Sequence, residues 1–219
     1  VTDQVNKAEQ AYGVLEDMIT FQDLAPGDVV SEVGLMSLTG FGRTPVREAL
    51  QRLARERMVE IHPHRGAFVA AVSVEAHFQL LELRRGLEEM ATRFAVYRAK
   101  PQQKEQMLAL ATALDEFEGT DVRQFGVLLK QAHSLVVEAT QNEYLELAMA
   151  PLQSLSRRFW FAHLPDVAKE LRSAADLHGN LLRAIAHGDE AAAAAGTLKL
   201  NDYLTDITYT ALRGPGSHG

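Results

Sequence analysis

The chain has 219 residues, 47% of them apolar, with a formal net charge of −7 and no cysteine. That length allows one large domain or two small ones with a buried core, and the missing cysteines exclude disulfides, thiolate metal sites and cysteine nucleophiles together. No apolar run is long enough to span a membrane, and the opening Val1-Thr2-Asp3-Gln4 lacks the basic and apolar regions of a secretion signal, so a cytoplasmic protein with no membrane partner is expected.

Residues 5–20 place Ala8, Ala11, Tyr12, Leu15, Met18 and Ile19 on one helical face. Ala25-Pro26-Gly27-Asp28 is a turn. Ser31 then caps a short helix to about Leu38, with Val33, Leu35, Met36 and Leu38 expected to make apolar contacts, and Thr39-Gly40 breaks it. A second helix is predicted from Arg43 to Arg55. Thr44 is expected to cap it through its hydroxyl, with Pro45 at the first helical position, where no amide hydrogen bond is lost. Val46, Ala49, Leu50 and Leu53 face a core, which turns Arg43, Thr44, Arg47 and Gln51 outward near the positive end of the helix dipole. Short strands over residues 58–61 and 66–69 are joined by His62-Pro63-His64-Arg65, a hairpin with a basic tip for which Gly66 supplies backbone freedom. The pattern is helix, turn, helix, then a small β-wing.

A net negative charge argues against a nucleic-acid partner, but locally the balance reverses. Residues 40–66 hold six arginines against three glutamates, a net of +3, with His62 and His64 alongside. Phosphate contacts act over roughly a Debye length, about 8–10 Å, so a local concentration of positive charge outweighs the total. A merely solvated arginine-rich helix would interleave acids on the same face, whereas residues 43–47 and 63–66 are free of acids. An N-terminal turn carrying arginine and threonine suits a phosphate backbone and the edge of guanine. These residues point to a reader of double-stranded DNA.

From Val74 no further strand pattern occurs, and helices follow one another to about Leu212. Breaks fall at Lys100-Pro101, Glu118-Gly119, Gln141-Asn142, His163-Leu164-Pro165 and His187-Gly188-Asp189, the last pairing a C-terminal glycine with an aspartate cap. The alanine run 191–195 is a strong helix former. The expected organisation is a winged helix-turn-helix over residues 5–70, a linker over 71–76, an all-helical bundle over 77–213 and a flexible tail over 214–219. The fold class is mainly α, with one small β-hairpin.

Ala25-Pro26-Gly27, Ser31-Glu32, the run from Arg43-Thr44-Pro45 through Val46-Arg47-Glu48-Ala49-Leu50, and Arg65-Gly66-Ala67-Phe68-Val69 resemble, in order and spacing, the winged-helix signature of the GntR superfamily of bacterial transcription regulators, in its FadR branch. Leu83-Arg84 with Leu87-Glu88, Asn142 with Leu145, and His178 with Gly188-Asp189 resemble that branch's all-helical FCD effector domain. The resemblance covers nearly the whole chain. It implies a homodimer on a palindromic operator, released or retained according to a small effector. Arg43, Thr44 and Arg47 would contact DNA from the recognition helix, with Gln51 beside them, and His64, Arg65 and Gly66 would lie at the minor groove from the wing. Two departures stand out: Gly42 replaces a small hydroxyl residue, and Met58 stands where the family usually turns with glycine, so altered wing geometry is expected.

Three polar residues of the second half lie on apolar helical faces. Arg84 aligns with Leu80, Leu87 and Ala91; His133 with Leu129, Val136 and Thr140; His178 with Leu181 and Ile185. Buried and unpaired, each would cost about 1–3 kcal/mol, so they are candidates to surround one cavity. By the resemblance, many relatives bind a divalent metal there through an aspartate and three histidines. His133 and His178 match two of these ligands, but Leu129 and Leu200 occupy the other two positions, with Asn201 beside the second. Two imidazoles fall short of the four ligands, or three plus water, that zinc takes. The preferred reading is an organic acid bound directly, Arg84 pairing its carboxylate and the histidines hydrogen-bonding to it. The helix carrying Arg157, Arg158, Phe159, Trp160 and Phe161 would cap that pocket, or else its arginines would be solvated. The alternatives are histidines bonded within an ordinary core, a metal-dependent regulator with an incomplete site, and a constitutive DNA-binding dimer without effector. No nucleophile or glycine-rich phosphate loop speaks for an enzyme.

Overall fold

The computed structural model describes residues 2–63 and 65–213, with side chains from residue 7 onward. His64 and the expected flexible tail, 214–219, lie outside the described residues. The chain divides into two compact units, one of Val1–Ser73 with Arg157–Ala162, the other of Val74–Ser156 with His163–Gly219. No helix among the described residues is long and apolar enough to cross a membrane.

The first unit contains α1 (Thr2–Thr20), β1 (Val29–Val30), α2 (Glu32–Thr39), α3 (Arg43–Arg55), β2 (Val59–His62) and β3 (Gly66–Val69). Ala11, Leu15 and Ile19 of α1 meet Val46, Ala49, Leu50 and Leu53 of α3 in one buried core, the face that helical periodicity selects. Ser31 caps α2, its hydroxyl accepting from the Gly34 amide at 3.1 Å, and Gly40 ends the helix in the left-handed conformation. Of the apolar residues expected to anchor α2, Leu35 is buried, whereas Val33 and Leu38 are exposed. An eight-residue helix has only about two turns, so one face reaches the core and the rest stays wet.

The start of α3 differs from expectation. Gly42 is the extended cap residue and makes no side-chain cap bond, so Thr44 is the second helical residue and Pro45 the third. Proline is tolerated there because the first four helical amides lack an intrahelical acceptor, and Thr44 keeps its hydroxyl on the surface. At the other end the chain turns through Arg57, at φ 60°, and Met58 is completely buried, its amide donating to the Leu53 carbonyl at 2.9 Å. The left-handed position is thus Arg57 and not Met58; Met58 is a core residue.

The three strands form an antiparallel sheet in the order β1-β3-β2, with Val29 opposite Phe68, Val59 opposite Val69 and His62 opposite Gly66. Gly66 takes φ +96°, a conformation that costs a side chain-bearing residue energy. The sequence reading placed β2 one residue early and missed β1. Residues 157–162 complete this unit. Arg157 Nη2 donates to Glu16 Oε1 at 2.6 Å, Arg158 Nη2 donates to the Ala70 carbonyl, and Phe161 packs on Phe21 with ring centroids 5.0 Å apart.

The second unit is built from α4 (Val74–Arg98), α5 (Pro101–Asp115), α6 (Val122–Ala139), α7 (Glu143–Ala162, up to Ser156), α8 (Val167–His187) and α9 (Glu190–Arg213). Every predicted break falls between two of these helices. Asp121 and Asp166 cap α6 and α8, and Gly188 ends α8 in the left-handed conformation. The principal packing pairs are α5 on α8, α4 on α9 and α8 on α9.

Candidate nucleic-acid interface and effector cavity

Arg43, Thr44, Arg47 and Gln51 are all exposed along one face of α3, because the core takes the opposite face. They are not free of acids, as the sequence implied. Glu32, the first residue of α2, accepts from Arg47 Nε at 2.7 Å and from Arg47 Nη2 at 3.2 Å, and its carboxylate lies 3.9 Å from Arg43 Nε. The hydrogen bond from Arg47 holds the Glu32 carboxyl below the ordinary carboxylate range, and the same bond raises the Arg47 guanidinium. Arg52 faces the other way. Its guanidinium lies 3.6 Å from the centre of the Tyr12 ring and donates to Glu56 at 2.9 Å and Glu9 at 2.7 Å, so it braces α1 against α3. Arg65 is exposed at the hairpin turn, its amide donating to the His62 carbonyl at 3.2 Å, with Gly66 following. His64 lies outside the described residues.

In the second unit Arg84, His133 and His178 do come together, all three buried. His178 Nδ1 lies 2.8 Å from the Ala174 carbonyl, and His178 Nε2 lies 3.3 Å from His133 Nε2. A carbonyl only accepts, which assigns the His178 proton to Nδ1 and makes its Nε2 an acceptor. Burial pushes His178 down to about 4, which keeps it neutral near pH 7. Arg84 Nη2 stands 3.5 Å from His133 Nε2.

Arg84 already has a carboxylate. Its Nε donates to Glu88 Oε1 at 2.7 Å, and Asn201 Nδ2 donates to Glu88 Oε2 at 2.8 Å. The sequence reading missed Glu88 as a member of this cluster, although the i, i+4 spacing from Arg84 was the signal for it. Glu88, His133 and His178 line a cavity of about 30 Å³, walled by apolar residues that include Val136, Met149, Leu181, Leu182 and Leu200, while Arg84 stands behind Glu88. As a single water needs about 10–15 Å³, the cavity has room for about two or three waters.

Leu129 and Leu200 are buried, and no group of three or more histidine, aspartate or glutamate side chains among the described residues is disposed to hold a metal ion. The donor set does not fit one. Nor do Arg157 and Arg158 cap the cavity or face solvent. Both are buried within the first unit, and burial pushes the Arg158 guanidinium down to about 10. The sequence also gave no hint of His77, whose buried ring bridges Thr208 Oγ1 at 2.9 Å and Ser156 Oγ at 3.1 Å.

Comparison with known proteins matches residues 7–69 to the bacterial regulatory proteins of the gntR family and residues 79–200 to the FCD domain. The Nta operon transcriptional regulator of Aminobacter aminovorans is 32% identical over 169 residues, covering 77% of this chain and 79% of that protein. The transcriptional repressor GlaR of Escherichia coli is 26% identical over 172 residues, 76% of this chain and 78% of that one. Among solved structures, E. coli McbR/YncC superposes with a TM-score of 0.80 at 21% identity, over 94% of this chain and 98% of that one. A putative GntR regulator from Rhodococcus sp. RHA1 gives 0.70 at 23% identity, over 96% and 100%. At these identities the structural likeness speaks for the fold.

Proposed function

The chain belongs to the GntR family of bacterial regulatory proteins and carries an FCD domain, and from that premise we propose that it reads a palindromic operator as a homodimer, under the control of a small organic acid bound in the helical unit. Its relatives are transcription regulators, and the role proposed is likewise non-catalytic. The observation that carries the DNA reading is the exposed row Arg43, Thr44, Arg47 and Gln51 on one face of α3, with Arg65 and Gly66 on the wing. Arginine reads guanine bidentately in the major groove, whereas a wing arginine contributes mainly charge.

A duplex selected from a random-sequence library by the wild-type protein is the reagent for testing it. Arg47→Ala is expected to weaken binding to that duplex by roughly 5- to 150-fold and to relax preference at one base pair per half-site. Arg65→Ala should weaken binding more evenly across sequences and reduce its salt dependence. Equal affinity of both wild type and Arg47→Ala for selected and scrambled duplexes would remove the reading.

The dimer reading draws support from α4. Leu80, Leu83, Leu87, Met90, Phe94 and Tyr97 recur at alternating spacings of three and four, the repeat of a helix-pairing seam. Leu83, Met90 and Tyr97, seven residues apart, are 56%, 40% and 69% exposed, whereas Leu87 and Phe94 also pack on the core of their own unit, where the helix buries Leu81, Ala91, Ala95 and Val96 beside His77, Arg84, Glu88 and Thr92. Native mass spectrometry is expected to show a wild-type dimer and a monomer for the Leu83→Glu/Met90→Glu variant. A dimeric double variant would place the seam elsewhere.

The effector reading rests on the cavity. An acid entering it would exchange with Glu88 for the Arg84 guanidinium, its apolar part lying against Val136, Met149, Leu181, Leu182 and Leu200. The His133 ring would supply a hydrogen bond, and the apolar walls would part to make room. Effector and operator affinities would then be linked reciprocally. An organic acid carried by each subunit in the same mass spectra would support this and identify the candidate.

A further inference from the structure

Glu32 has no part in the proposed reading of DNA, yet it is the acid that meets the arginines of α3. We infer that Glu32 is a positioning residue that orients Arg47 for base reading and suppresses its use on phosphates. This inference rests on the proposal that α3 reads DNA, and it adds a determinant of specificity that touches no DNA itself.

The argument begins with the donors of a guanidinium. Arginine carries five N–H groups in one plane: one on Nε and two on each terminal nitrogen. Glu32 occupies the Nε side, taking Nε–H at 2.7 Å and one Nη2–H at 3.2 Å. Both Nη1 hydrogens and the second Nη2 hydrogen stay free. The free edge is therefore a parallel two-donor fork, the shape that matches O6 and N7 of guanine. A guanidinium held on one edge presents the other in a defined direction, and less rotamer freedom is lost on binding.

The support is itself held. Glu32 is the first residue of a helix whose cap, Ser31, is formed, and a carboxylate is favoured at that position by the helix dipole. Behind it Leu35 is buried, and behind Arg47 so is Val46, so the two backbones that carry the pair are both anchored to the core. The carboxylate also lies 3.9 Å from Arg43 Nε. One negative charge between two arginines lowers the attraction of both for a phosphate backbone, the part of binding that carries no sequence information.

The experiment measures Glu32→Gln, Glu32→Asp, Arg47→Ala and wild type against the library-selected duplex, its single-base variants and a scrambled duplex, over a range of salt. Thermal melting of each variant serves as a check on folding. Glu32→Gln is expected to tighten binding to the scrambled duplex several-fold and to steepen its salt dependence by about one ion. Discrimination between selected and scrambled duplexes should fall about tenfold, with the loss concentrated at the base pair that Arg47→Ala also relaxes. Glu32→Asp keeps the charge but is one methylene too short for the two-point contact. It should lose discrimination at the same base pair while leaving affinity for the scrambled duplex near wild type, which separates orientation from charge. Unchanged base preference in both Glu32 variants would overturn the inference, as would equal tightening on all duplexes, which would make Glu32 a source of plain repulsion. A wild-type protein that enriches no duplex would instead bring down the DNA reading itself, and this inference with it.

Discussion

Replacing Glu88 with leucine is expected to destabilise the helical unit by about 3–5 kcal/mol, because it leaves a buried guanidinium without its counter-charge. Arg84 is only 2% exposed. Its Nε depends on Glu88 Oε1 at 2.7 Å, and Asn201 Nδ2 donates to the other oxygen at 2.8 Å as well as to the Thr197 carbonyl at 3.0 Å. Asn201 Oδ1 is already a buried atom without a hydrogen-bond partner, so the variant adds a lost donor contact to a side chain that is incompletely satisfied. A loss of this size is a large part of the roughly 5–15 kcal/mol that holds a typical domain folded. Removing both charges is a different matter. The desolvation cost of the pair disappears with its attraction, so Arg84→Met/Glu88→Leu should lie close to wild type or above it. Urea denaturation of the two variants checks both numbers. A Glu88→Leu protein within 1 kcal/mol of wild type would mean that water reaches Arg84. The double variant also bears on function, since a protein that keeps its stability but no longer responds to an organic acid would locate the response in this pair.

Acid is expected to act through two histidines that the fold keeps neutral. Burial lowers His178 to about 4 and His77 to about 3 from an ordinary value of 6.5. Above pH 6.5 neither the folded nor the unfolded chain protonates them, and the stability is fully present. Below that value the unfolded chain binds protons that the folded chain refuses. Stability then falls with pH by up to about 1.4 kcal/mol per unit for each histidine, until the folded values are reached. Between pH 6.5 and pH 4.5 the two together should remove about 5 kcal/mol. The midpoint of urea unfolding against pH reports this directly, and His178→Phe should halve the slope. A flat profile over the same range would show that both imidazoles take up protons without unfolding. The same neutrality limits the effector site, where attraction for an acid must come from Arg84.

Much of this was legible in the sequence where the determining contacts are local. Ser31 and Gly188 mark helix ends through bonds made within a few residues, and Gly66 marks a turn through its own backbone. The exposed face of α3 follows from the positions of Val46, Ala49, Leu50 and Leu53, because a helix that buries one side must present the other. Arg84, His133 and His178 could be recognised as buried by the same reasoning. Their meeting is a stronger result, since they come from α4, α6 and α8, and only packing brings them within hydrogen-bond range.

The errors share one cause. Nothing in Val29-Val30 alternates over enough residues to announce a strand; β1 exists because β3 offers it an edge. Arg57 takes the left-handed turn because Met58 must reach the core, and one residue of misplacement there was invisible without the core itself. From the sequence alone, Arg157 and Arg158 fit either a pocket or solvent. Their partners, Glu16 and the Ala70 carbonyl, are 141 and 88 residues away in the chain. Glu32 and Arg47 are 15 apart, too far for any helical or strand period to relate them. By itself, then, the sequence determined the class of the protein, the ends of its helices and the side of each that is buried, because these follow from periodicity and near-neighbour bonding. Which charge meets which was decided only by the tertiary structure, because an ion pair depends on where two backbones are carried and not on how far apart they stand in the chain.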